Sequence, residues 1–110
     1  MELPNRTYAY IPQQKLIGYL LSETHSVGKS KAKFFHTLGF SQTELDFLEQ
    51  QLLQVAHTTA VTDVMASPYG TKYVLDGVIT TPIETSARIR TVWIIETGEE
   101  YPRFVTAYPL

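Results

Sequence analysis

Phe40–His57 reads FSQTELDFLEQQLLQVAH, and beyond it the texture of the chain changes for good. Ser41 is placed to cap a helix, Glu44 stands three residues on to close a capping box, and Phe40 and Leu45 hold the two positions of a hydrophobic staple. Leu45, Leu48, Leu52, Val55 and Ala56 continue an apolar stripe at helical spacing to about His57. After residue 60 the helical period gives way to β-branched and aromatic runs: Val61–Ala66, Lys72–Thr80, Ala87–Glu96 and Phe104–Tyr108. Ser67-Pro68-Tyr69-Gly70, Thr81-Pro82 and Thr97-Gly98 separate these runs, each with a residue that favours a turn. Connections this short join antiparallel neighbours.

On the N-terminal side, Gly39 supplies the glycine expected just past a helix end, so a helix is predicted from about Gly28 to Leu38. Leu16, Ile17, Leu20 and Leu21 fit helical spacing and predict a short first helix over Lys15–Leu21. Residues 1–14, with Pro4, Asn5 and Pro12, read as an irregular arm. The prediction is an α+β domain over residues 15–110, with about three helices packed on one face of a four-stranded antiparallel sheet.

A chain of 110 residues can bury one hydrophobic core without a staple. The absence of cysteine excludes disulfides, thiol catalysis and thiolate zinc sites. His25, His36 and His57 lack metal-ligand spacing, and Val27-Gly28-Lys29-Ser30 lacks the upstream glycine of a phosphate loop. No metal or cofactor is expected. No stretch approaches the ~20 apolar residues that span a bilayer, and the first residues lack a signal-peptide layout, so a cytoplasmic protein without membrane association is expected.

Charge is unevenly placed. His25–His36 (HSVGKSKAKFFH) crowds five basic residues into twelve positions, with no acid between Glu23 and Glu44, although the net charge is -2. A cationic site on a mildly anionic chain suits a confined anionic ligand. On a helical wheel Lys33 and His36 fall within roughly 40° of Lys29, away from Phe34, Phe35 and Leu38, and should be solvated. Lys31 falls near the middle of the apolar arc, where it either snorkels or faces a cleft with an anionic partner. His25 is either an exposed loop histidine or a proton-transfer group, since its ordinary pKa lies near working pH.

The run Arg88–Trp93 (RIRTVW) supplies the sheet half of a possible site. Alternation puts Arg88 and Arg90 on one face with Val92 and Ile94, and Trp93 on the other. In Arg103–Pro109 (RFVTAYP), the same alternation predicts that Phe104, Thr106 and Tyr108 share a face. Whether that face is the arginine side depends on a register that one residue of slip reverses. Glu96, Glu99 and Glu100 sit in or near a turn and read as solvated.

Several segments together, KLIGYLL (15–21), HSVGKSKAKFF (25–35), LGF (38–40), PYG (68–70), RTVW (90–93) and PRFVTAYP (102–109), resemble the family of small bacterial proteins catalogued as domain of unknown function 6883. The order of helices and strands also resembles, more distantly, the metal-independent ribonucleases and toxins that group barnase, EndoU, colicin-type tRNA nucleases and RelE. That resemblance implies a histidine, a basic residue and a threonine or tyrosine around a concave sheet, which His25, Lys31, Arg90, Thr106 and Tyr108 can supply. It implies RNA as a substrate and a cognate antitoxin or immunity protein as a partner. A catalytic glutamate cannot be picked out. The alternative is a non-enzymatic module whose cationic cleft binds an acidic partner or an anionic small molecule.

Overall fold

The computed structural model describes residues 1–17 and 29–110. Helix α1 begins at Gln13–Lys15, earlier than the predicted Lys15, and Leu16 and Ile17 continue it with wider helical turns. The rest of the predicted first helix, residues 18–21, lies outside the described residues. Helix α2 is Lys29–Thr37 and α3 is Leu45–Thr58. Strands β1 (Asp63–Ser67), β2 (Gly70–Thr80), β3 (Ser86–Glu96) and β4 (Arg103–Pro109) form one antiparallel sheet in sequence order. The α+β architecture is the predicted one.

The link between α2 and α3 follows from local chemistry. Gly39 takes φ +93°, which a residue with a Cβ adopts only at a cost. Its N–H bonds the carbonyl of His36 at 3.0 Å, and the N–H of Phe40 bonds that of Phe35 at 3.0 Å. Those two bonds are a Schellman ending, and the Phe35 and Phe40 rings supply its apolar contact edge to face at 6.1 Å. Ser41 then caps a 3-10 turn, Gln42–Glu44, that runs into α3; its N–H bonds the Glu44 carboxylate at 3.1 Å, completing the capping box. The hydroxyls of Ser41 and Thr43 hold that carboxyl below its ordinary pKa. Ser41→Ala should cost about 0.5–2 kcal/mol, read as a lower denaturant midpoint. Because the Glu44 pKa is depressed, the part of the box that needs a carboxylate is present at neutral pH and fades as acid titrates it.

α3 buries Leu48, Leu52, Val55 and Ala56 against the sheet face that carries Leu75, Ile79, Ile89 and Trp93. Each leucine, isoleucine or valine among them contributes on the order of 1.5–3 kcal/mol. The helix comes close to β2 because Gly77 has no side chain; a Cβ there would lie 2.9 Å from both methyls of Val55. Phe34, Leu38 and Leu45 pack around this core half-buried. The first dozen residues join it too: Leu3 and Ile11 are buried, Glu2 pairs with Ala60, and Tyr10 pairs with Arg103 alongside β4.

Along β3 and β4 the register departs from simple alternation. Tyr108 lies opposite Arg90 and Thr106 opposite Val92, but Trp93 lies opposite Phe104, so Val105 is an extra residue on β4. The bulge bends the ladder and turns Phe104 over. Phe104 therefore stacks edge to face on Trp93 in the core, at 5.3 Å between ring centres, rather than sharing the face of Thr106 and Tyr108 as expected.

Candidate functional site

The face of the sheet opposite the α3-packed core carries the polar chemistry. Antiparallel pairing sets Asp76 directly across from Arg90, and Arg90 directly across from Tyr108. Arg90 donates from Nε to Oδ1 of Asp76 at 2.7 Å and from Nη2 to Oδ2 at 2.9 Å. This forked pair is the strong geometry for an arginine and a carboxylate. The hydrogen bonds from Arg90 hold the Asp76 carboxyl below its ordinary pKa against the opposing effect of burial, with the charges of Arg90 and Arg88 adding to them. The same pair, with a smaller contribution from Tyr108, holds the Arg90 proton more firmly than in water.

α2 brings the fourth strand a cation. Ala32 and Phe35 are buried, and Lys31, one position before Ala32, places its Nζ over the Tyr108 ring at 5.8 Å from the centroid. The lysine is half-buried and its charge rests on an aromatic face, a partner other than the anion expected for a cation on the apolar arc. Lys33 is exposed as expected, whereas His36 is half-buried rather than solvated.

Arg90 and Tyr108 line a concavity of about 490 Å³ together with Asp63 and Met65 of β1, Val74 of β2 and Val92 of β3. Thr106 lies beside it, across from Val92. A smaller hollow of about 230 Å³ adjoins Asp76, Val78, Arg88 and Leu110, and Arg88 is exposed there. Among the described residues no three His, Asp or Glu side chains come together. No described helix is long and apolar enough to cross a membrane.

Of the five residues singled out from sequence, the structure brings Lys31, Arg90, Thr106 and Tyr108 to one side of the sheet. His25 lies outside the described residues. Asp76 was not foreseen. Its signal was present all the same: a hairpin centred on Ile83 pairs positions 76 and 90, and the β2 alternation sends an acid to the same face as the arginine. Glu96 is likewise engaged rather than merely solvated, accepting a hydrogen bond from Nε of Arg103 at 2.9 Å.

Over residues 2–110 the sequence matches the family profile of domain of unknown function DUF6883. The chain belongs to the DUF6883 family. No curated protein matches it. The DUF6883 chain is similar in structure to a chain of a contact-dependent growth inhibition toxin–immunity protein complex from Klebsiella pneumoniae 342, with a TM-score of 0.74, 14% sequence identity and 96% of each chain covered. At that identity the likeness is one of fold.

Proposed function

We propose that this DUF6883 chain is a metal-independent RNA-cleaving domain of the toxin kind. The observation that carries the reading is the register: Arg90 faces Tyr108, Thr106 follows on the same side, and Lys31 reaches over the Tyr108 ring. Arg90 and Tyr108 thereby line one concavity, with Lys31 over the Tyr108 ring and Thr106 across from Val92 of the same lining. Such groups suit a phosphodiester whose charge rises as the reaction proceeds.

In that reaction a base removes the proton of a ribose 2′-hydroxyl, the freed oxygen attacks the adjacent phosphorus, and the departing 5′-oxygen takes up a proton. The product is a 2′,3′-cyclic phosphate on one fragment and a 5′-hydroxyl on the other. Lys31 and Arg90 offset the added negative charge of the pentacoordinate transition state, while Thr106 and Tyr108 orient the phosphate. Asp76 engages Nε and one Nη2 hydrogen of Arg90, so it fixes the guanidinium plane and leaves its other donors for the phosphate and for Tyr108. His25 supplies proton transfer. Contacts of this kind fix the phosphate and carry little sequence specificity.

The fold is shared with a chain of a toxin–immunity protein complex, which supports a place in such a pair and a cognate protein partner. The test is incubation of the purified protein with total RNA and with tRNA in the presence of a chelator, beside His25→Ala. Cleavage should persist in chelator and vanish in the variant. Equal RNA loss in both samples would remove His25 from the mechanism. The forked Arg90–Asp76 pair favours the second reading, a binding module, since Asp76 already satisfies part of the arginine. In that case RNA or another polyanion is retained and recovered intact.

A further inference from the structure

The two ends of the sheet differ in chemistry. At the end where β3 turns into β4, far along the strand from Tyr108, the rings of Tyr8 and Tyr101 stack at 4.8 Å between centres with 22° between planes. Both stay in water, 60% and 45% exposed, and Tyr10 beside them is 47% exposed. The rings are held in place. Asn5, in the left-handed conformation at φ 54°, donates from its side chain to the Glu100 carbonyl at 2.8 Å. The N–H of Tyr10 bonds the Pro102 carbonyl at 3.1 Å, and the N–H of Phe104 bonds the Tyr10 carbonyl at 3.0 Å. Fixed, exposed tyrosines offer contact area at low entropic cost, which is how binding surfaces use them.

The charge around these rings selects the partner. Glu2 pairs with Arg6 and Glu96 with Arg103, which leaves the exposed Glu99 and Glu100 as the local excess. Carboxylates repel an RNA backbone. A guanidinium, by contrast, stacks on a tyrosine face and forks onto a carboxylate, and lysine does neither as well. A second copy of the chain offers only the isolated, exposed Arg88 and no arginine-rich run: Arg6 and Arg103 lie in this patch and Arg90 is engaged by Asp76.

We propose that Tyr8, Tyr10, Tyr101, Glu99 and Glu100 form a docking surface for an arginine-rich segment of a protein partner, separate from the Arg90 face and independent of the ribonuclease reading. The test is an amide NMR titration of the full chain with a short alternating Arg-Gly peptide, with Lys-Gly and Glu-Gly peptides of equal length, and with oligouridylate RNA. The Arg-Gly peptide should shift the amides of residues 5–10 and 97–103. The Lys-Gly peptide should bind several-fold more weakly, and the Glu-Gly peptide should leave the spectrum unchanged. Glu99→Lys with Glu100→Lys, and separately Tyr8→Ser, should each weaken the Arg-Gly peptide by roughly tenfold or more, a loss of the size expected for one desolvated anchor. Asp46→Lys with Glu49→Lys on α3 makes the same change in net charge and should have no such effect. The charge variant leaves the rings and the Glu100 carbonyl intact, so it remains informative if Tyr8→Ser loosens the N-terminal residues. Shifts centred elsewhere, equal weakening by the α3 variant, or binding of oligouridylate at these residues in place of the peptide would each overturn the proposal.

Discussion

Arg90→Ala is expected to lower RNA cleavage by about 10²–10³-fold, the loss seen when one preorganised donor to a developing oxyanion is removed. Fold stability should change little by comparison. The Arg90 side chain is 36% exposed and that of Asp76 23%, so the pair is screened by water and its removal leaves a carboxylate that solvent can reach. Arg90→Lys separates charge from geometry. A lysine keeps the cation but cannot fork onto Asp76, so its activity should fall well below wild type. Asp76→Asn should act on the same step, because the guanidinium plane loses its anchor. In denaturation studies the same variant should lose part of the dependence on acid. The depressed Asp76 pKa means that its share of stability is present at neutral pH and lost as pH falls through that pKa.

Trp93→Ala should be the most damaging single substitution in the sheet, at about 3–5 kcal/mol. Trp93 is fully buried, with its Nε1 donating to the Thr91 hydroxyl at 2.9 Å, and that hydroxyl in turn donates to the Leu75 carbonyl at 2.9 Å. Removing the indole opens a cavity beside Phe104 and leaves the Thr91 oxygen without the donor that fills its second site. Domains of this size hold roughly 5–15 kcal/mol in all, so the variant should be partly unfolded at moderate denaturant, where Arg90→Ala remains folded. A midpoint within the error of wild type would mean that the core does not rest on this residue.

How much of the molecule could be read from the residues varies with how local the determining forces are. The Phe35–Gly39–Phe40 helix ending, the Ser41–Glu44 box and the stripe on α3 depend on neighbours within a few positions, so their signals are written in short stretches of chain. The four strands were legible for the same reason, from alternation bounded by Pro68, Gly70, Pro82 and Gly98. The register of β4 was not. Val105 is an ordinary strand residue, and only the competition to bury Phe104 against Trp93 while keeping Tyr108 beside Arg90 makes it a bulge. Asp76 was harder to read, because its partner is 14 residues away and pairing the two takes the exact centre of the turn that Thr81-Pro82 marks only to within a residue or two. Residues 1–12 reach the core through Leu3 and Ile11, two isolated apolar positions with no period to announce them. At the site, a lysine on the apolar arc of α2 was the informative anomaly, since a cation there needs either a route to solvent or a partner such as the Tyr108 ring.

On the proposed reading, the Lys31–Tyr108–Arg90 face cleaves RNA by transfer to the 2′-hydroxyl without a metal. The most direct measurement is phosphorus NMR of a single-stranded RNA oligonucleotide treated with the protein in chelator, beside the same oligonucleotide carrying one 2′-deoxy sugar at the cleaved position. The expected result is the resonance of a 2′,3′-cyclic phosphate from the ribose substrate, none from the deoxy substrate, and formation slowed by about 10²–10³-fold with Arg90→Ala. Fragments ending in a 3′-hydroxyl and a 5′-phosphate, cleavage of the deoxy site, or an undiminished cyclic-phosphate signal with Arg90→Ala would contradict it.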